Sequence, residues 1–181
     1  MKKSAVGSPL ALVAGMASAA ILGSDTFSYS GALTANGWVA YSGTDGTVTA
    51  NGSVAAVGSG AEDIRMTAFA DQGAGTTYAC FTLNMLSAAA GSGYTFGFID
   101  GTLMESRWGF TSTGTGYSIA TYGTGTTVLG NSAAMTFSTD YLVTMSYIAT
   151  TYTHSLWIYS VGTDVATPVL TVTAGTNSGI Y

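Results

Sequence analysis

The chain has 181 residues, enough for a domain with a real core, and only 7% of them are charged while 47% are hydrophobic. Lys2, Lys3, Arg65 and Arg107 are the only cations, set against nine carboxylates, which excludes binding nucleic acid or an anionic membrane surface through clustered positive charge. The 11 tyrosines and the low charge exclude a disordered chain, since such chains are rich in charge and poor in aromatics.

The first 23 residues stand apart. Lys2 and Lys3 precede an apolar stretch from Leu10 to Gly23, with small residues at Ala17, Ala19 and Ala20. A basic start, an apolar middle and a small-residue end make up a secretory signal peptide, with cleavage after Ala19 or Ala20. The stretch falls short of the roughly 20 apolar residues that span a bilayer. Gly7 and Pro9 interrupt the start of the apolar helix that a leader needs. They favour a second reading, a retained arm that docks on a neighbouring subunit through Leu10, Leu12, Val13, Met16, Ile21 and Leu22.

From Ser24 onward, short segments rich in Thr, Val, Tyr and Phe and punctuated by Gly predict an all-β domain over 24–181. DTFSYS (25–30) reads as the opening strand, with Asn36-Gly37 as a tight turn before WVAY (38–41). Asp45-Gly46 turns into residues 47–57, where Asn51-Gly52-Ser53 reads as an Asn-Gly turn in preference to a glycosylation sequon. EDIRMTAF (62–69) puts Ile64, Met66 and Ala68 on one side. TYACFTLNML (77–86) is apolar on both sides, which predicts a central strand covered twice, with Cys80 as a small buried hydrophobe. YTFGFI (94–99) leads through Asp100-Gly101, a hairpin signal, into TLMESRWGF, followed by GYSIATY and TTVLG.

The longest strand pair lies at 141–160. Val143, Met145 and Tyr147 fall on one side of a pleat and Thr144 and Ser146 on the other; after a polar break, Leu156 and Ile158 oppose Trp157 and Tyr159. PVLTVT (168–173) follows, with Pro168 placing it on an edge.

Asp25, Phe27, Gly37 and Trp38 near the start, with Tyr141, Leu142, Val143, Tyr147, Ser155, Leu156 and Trp157 near the end, make a pattern. It resembles the laminin-G-like modules of the concanavalin A-like lectin/glucanase superfamily found in secreted bacterial and phage proteins. The resemblance implies an antiparallel jelly-roll β-sandwich. Such modules add a strand after the position of Val172, so the resemblance also implies an open sheet edge that invites another chain.

Catalytic patterns are sparse. Glycoside hydrolysis needs two facing carboxylates, but Glu62 and Asp63 are adjacent and point to opposite faces, and Glu105 has no partner two or four positions away. A serine triad would need His154, the only histidine, and no Gly-x-Ser-x-Gly elbow exists; His154 reads as a polar residue at a strand start. One His and one Cys disfavour zinc. Asp45, Asp71, Asp100 and Asp140 sit in predicted turns where they could hold calcium, although side-chain turn chemistry explains them more simply. Trp108 beside Arg107, with Tyr94, Tyr117 and Tyr122, is the candidate sugar-stacking cluster; that Trp108 and Phe110 share a strand face reads more simply as core.

The expectation is therefore a non-enzymatic structural sandwich without a cofactor, a virion decoration or tail-associated subunit docked through residues 1–23. Its partners would be copies of itself or a capsid, tail or cell-surface protein. The alternative is a secreted lectin-like module that binds glycans after losing its leader.

Overall fold

The computed structural model describes residues 21–43, 46, 48–56, 62–66, 75–87, 94–100, 103–122, 127–160 and 170–173. These are mostly β-strand with almost no helix, and every strand pair among them is antiparallel. The chain divides into two compact units, residues 1–69 and 70–181.

In the first unit β1 (Ser30–Ala32), β3 (Thr49–Asn51) and β4 (Ala55–Ala56) form one sheet in the order β1-β3-β4, and β2 (Trp38–Gly43) pairs with β5 (Glu62–Met66). A 3-10 turn, Leu33–Asn36, ends at Gly37, whose φ of 93° is the left-handed geometry expected of Asn36-Gly37. The Asn51-Gly52 turn also holds: the Asn51 side-chain oxygen accepts from the backbone N–H groups of Ser53 and Val54. Leu33, Val48 and Ala50 form a small core walled by Phe27, Tyr29, Trp38, Ala55 and Ile64.

DTFSYS is not the expected strand; pairing begins only at Ser30. The reason is local. The Asp25 carboxylate accepts the Phe27 N–H at 2.7 Å, and Phe27 takes a φ of 53°, outside the extended region. The same carboxylate accepts the Tyr29 hydroxyl at 2.7 Å and the Trp38 indole N–H at 2.6 Å, while Phe27 stacks on Trp38 with ring centroids 6.1 Å apart. Desolvation alone would raise the Asp25 pKa, but hydrogen bonds from Trp38, Tyr29, Phe27 and Thr26 outweigh it and hold the carboxyl below its usual value. Asp25→Ala removes the common acceptor of these donors, and a thermal melt is expected to show the first unit's Tm falling by about 4–8 °C.

The second unit contains β6 (Thr76–Asn84), β7 (Tyr94–Asp100), β8 (Leu103–Ser112), β9 (Gly116–Tyr122), β10 (Val128–Asn131), β11 (Met135–Thr136), β12 (Asp140–Ile148), β13 (Thr153–Ser160) and β14 (Leu170–Thr173). Sheet I runs β10-β9-β8-β7, with β11 also on β9, and sheet II runs β14-β13-β12-β6. Trp108, Tyr117 and Ile119 of sheet I meet Val143, Met145 and Leu156 of sheet II in a single core. Phe81 of β6 packs edge-on to Phe96 of β7 at 5.3 Å, and Phe98 of β7 stacks on Tyr147 of β12 at 6.3 Å. Two sheets thus face each other across aromatic and aliphatic side chains.

The 141–160 hairpin forms as its alternation predicts. Val143, Met145, Tyr147 and Leu156 are buried, and Trp157 and Tyr159 occupy the opposite face of sheet II. Among the described residues β14 lies at the sheet edge, as expected for PVLTVT, although Pro168 is outside them. β6 differs from expectation. Its two faces are those predicted, but among the described residues it is an edge strand with β12 on one side, and its outward face is exposed; Cys80 is accordingly exposed, not buried.

One glycine in this unit is fixed by close approach. A Cβ on Gly116 would lie 2.1 Å from the Met135 carbonyl oxygen, where β11 pairs with β9. Backbone on both sides cannot yield, so Gly116→Ala is expected to cost about 3 kcal/mol in denaturant unfolding. Among the described residues, no helix is long and apolar enough to cross a membrane.

Candidate functional site

Strand register decides which side chains of the second unit can meet a ligand. On β8, Ser106, Trp108 and Phe110 point one way and Arg107 and Gly109 the other; on β9, Tyr117, Ile119 and Thr121 share the first face and Tyr122 the second. Trp108, Arg107, Tyr117 and Tyr122 are all wholly buried. Every residue of β9 is buried, so the centre of sheet I is covered on both faces. A ring without exposed surface cannot stack on a sugar, which removes the sequence-predicted cluster as a glycan site and leaves the core reading of Trp108 and Phe110. The Tyr94 side chain lies outside the described residues. Burial, reinforced by neighbouring Tyr141, pushes the Tyr117 phenol up to about 12.

His154 stands at the start of β13, as expected, with its side chain turned inside. It is 1% exposed and lies between the Trp108 ring at 6.0 Å and the Tyr147 ring at 5.2 Å. The Trp108 indole N–H donates to Ser106 Oγ at 2.8 Å, and Ser106 Oγ lies 2.8 Å from His154 Nδ1. The Ser106 hydroxyl, with two lone pairs and one proton, accepts from the indole and shares a second hydrogen bond with Nδ1, whose donor depends on the imidazole tautomer. Among the described residues Nε2 has no hydrogen-bond partner. Desolvation pushes the His154 pKa down to about 4, so the ring is neutral at pH 7. A serine beside a histidine is the start of a nucleophilic pair, but Ser106 is wholly buried and already accepts from Trp108. The pair instead ties β8 of sheet I to β13 of sheet II through the core.

The outward face of sheet II is exposed along β6 and half-buried over much of β12 and β13, and Ser146 and Ser155 on it are buried. Its rows follow from the register: Tyr78, Ser146 and Ser155; then Cys80, Thr144 and Trp157; then Thr82, Leu142 and Tyr159; then Asn84 and Asp140. Tyr78 is 60% exposed, and its ring lies 6.2 Å from that of half-buried Trp157 at an interplanar angle of 43°. Thr144 Oγ1 is 3.1 Å from the Tyr159 hydroxyl and donates to Cys80 Sγ at 3.3 Å. Asn84 Nδ2 donates to Asp140 Oδ1 at 2.6 Å. This face offers aromatic rings beside hydroxyl and amide groups, with Asp140 its only charged side chain among those rows. Such a surface suits a neutral, polyhydroxylated ligand: ring faces take the apolar side of a sugar, hydroxyls take its edge, and no cation is present to attract an anion. The sequence-predicted sugar-stacking cluster contains neither Trp157 nor Tyr78. The signal was the alternation itself, which puts Trp157 and Tyr159 opposite Leu156 and Ile158.

The remaining candidates are dispersed. Asp140 is engaged by Asn84, while Asp45, Asp71 and the Asp100 side chain lie outside the described residues; among those described, no three His, Cys, Asp or Glu gather as a metal site. The Asp63 carboxylate accepts from Ser42, and the side chains of Glu62 and Glu105 fall outside the described set. Leu10, Leu12, Val13 and Met16 also lie outside it, whereas Ile21 and Leu22 are exposed and in no regular element. A concavity of about 280 Å³ in the first unit is lined by Asp25, Asn36, Trp38 and Met66 among others, but the Asp25 carboxylate there is already engaged by its own chain. Compared with known proteins, the chain matches no family model, no curated protein and no solved structure.

Proposed function

We propose that the chain is a non-enzymatic surface-display protein whose second unit is a jelly-roll sandwich of the concanavalin A-like kind, and that it binds neutral glycans through the outward face of sheet II. The observation that carries this reading is the pairing of exposed Tyr78 with half-buried Trp157 beside the Thr144 and Tyr159 hydroxyls. It acts outside a cell or on a particle, as a virion decoration or tail-associated subunit or as a secreted adhesion module. Sparse charge and the exposed apolar Ile21 and Leu22, which continue the 1–23 segment, favour docking onto a larger assembly.

A glycan array with purified protein tests this. Wild type is expected to bind a set of neutral oligosaccharides, and Trp157→Ala to lose binding by about tenfold or more, given 1–3 kcal/mol for a stacked ring. The cross-strand pair contributes only about 0.2–1 kcal/mol to folding, so the variant stays folded and the comparison is clean. Trp108→Phe serves as the control: it alters a buried ring and is expected to leave binding unchanged. Binding lost in Trp108→Phe but kept in Trp157→Ala would overturn the assignment of the face.

A further inference from the structure

We propose that a second copy of this chain docks on the free edge of β6, antiparallel to it, with the twofold axis passing at Cys80. Among the described residues β6 pairs with β12 on one side and ends sheet II on the other. Nine residues long, it leaves a row of backbone donors and acceptors facing outward. The devices that usually blunt such an edge are absent from the strand: TTYACFTLN contains no proline and no charged residue.

Three observations select a copy of the same chain as the occupant. No charged residue occurs between Asp71 and Asp100, so apposing the segment with itself opposes no like charges. The core is unfinished at this margin: Phe81, Leu83 and Met85 are only half-buried, whereas Val143 and Met145 on neighbouring β12 are 0% and 3% exposed. Tyr78 and Leu86, two of the large hydrophobic side chains that remain exposed, lie on or just beyond the strand.

Full overlap of the strand with its copy sets the register. Thr76 then faces Asn84 of the copy, Tyr78 faces Thr82, Ala79 faces Phe81, and Cys80 faces its own equivalent. Two four-stranded sheets become one of eight (4 + 4), and their outward faces join into a continuous surface. Directly opposed residues in an antiparallel pair have Cα atoms about 4.5–5.5 Å apart, within the range a disulfide spans. This inference stands on the edge of β6 and does not rest on glycan binding.

Sedimentation of the full chain from micromolar to near-millimolar concentration, without ligand, tests it. Wild type and Cys80→Ser are expected to dimerise. Mild oxidation is expected to link the wild-type dimer through Cys80, reversibly on reduction. Cys80→Lys and Cys80→Glu, substitutions at an exposed position checked for folding by circular dichroism, are each expected to weaken the dimer by about tenfold or more. Mixing the two is expected to restore a dimer, because opposite charges then face each other. A wild-type monomer at every concentration overturns the proposal. So does a dimer that oxidation does not link, or one that Cys80→Lys leaves as stable as before.

Discussion

Trp108→Ala is expected to destabilise the second unit by about 3–5 kcal/mol, measured by denaturant unfolding. Among the described residues Trp108 is the largest wholly buried side chain, and it belongs to the core that joins the sheets. Its removal leaves a cavity between sheets I and II and also takes away the indole N–H that donates to Ser106. Trp108→Phe keeps most of the apolar volume and loses that donor, so it is expected to cost less. The difference between the variants separates packing from hydrogen bonding. A ring that served as a sugar platform on an open surface would cost little stability when truncated, so the same measurement distinguishes the core position from the role suggested by its sequence neighbours.

The second large effect is on pH dependence. His154 has a folded pKa of about 4 against an ordinary value of 6.5, owing to desolvation. Between those values the unfolded chain binds a proton that the folded chain refuses. Stability is therefore full above about pH 6.5 and declines as the pH falls toward 4, by about 3 kcal/mol in all. His154 is the only histidine, so no other imidazole contributes to that window. Asp25, with its pKa lowered from 3.8, acts further down: its contribution is present above that value and is lost as the pH falls through the depressed one. His154→Gln is expected to flatten the stability profile between pH 6.5 and 4 while leaving the steeper loss at lower pH. Stability–pH curves from urea unfolding of the two proteins check this directly.

These effects show where the sequence was legible and where it was not. Alternation at 141–160 identified both faces of β12 and β13, because a period of two is a property of the backbone itself. The same parity that buries Leu156 also buries His154, two residues earlier, and a strict reading of the pattern would have placed the histidine inside. For β6 the faces were legible and the position in the sheet was not. Tyr78 and Cys80 make the second face look apolar, yet an edge strand can carry an exposed ring, and alternation contains no information about strand order. Arg107, Trp108, Tyr117 and Tyr122 lie close in sequence and do share two paired strands. Register then separates them, Trp108 and Tyr117 toward the core and Arg107 and Tyr122 away from it, and the burial of that second face depends on tertiary structure that spacing does not encode. At the other end of the chain, Asp25 shows the reverse case: a local hydrogen bond to Phe27 overrides an alternating pattern that reads as a strand.

The proposed ligand surface is the outward face of sheet II. Nuclear magnetic resonance titration of the full chain with neutral oligosaccharides tests this most directly. The predicted result is a set of saturable shift changes confined to Tyr78, Thr144, Trp157, Tyr159 and their neighbours on β6, β12 and β13. Saturable changes centred on the first unit or on sheet I, with the Tyr78 and Trp157 resonances unmoved, would contradict it.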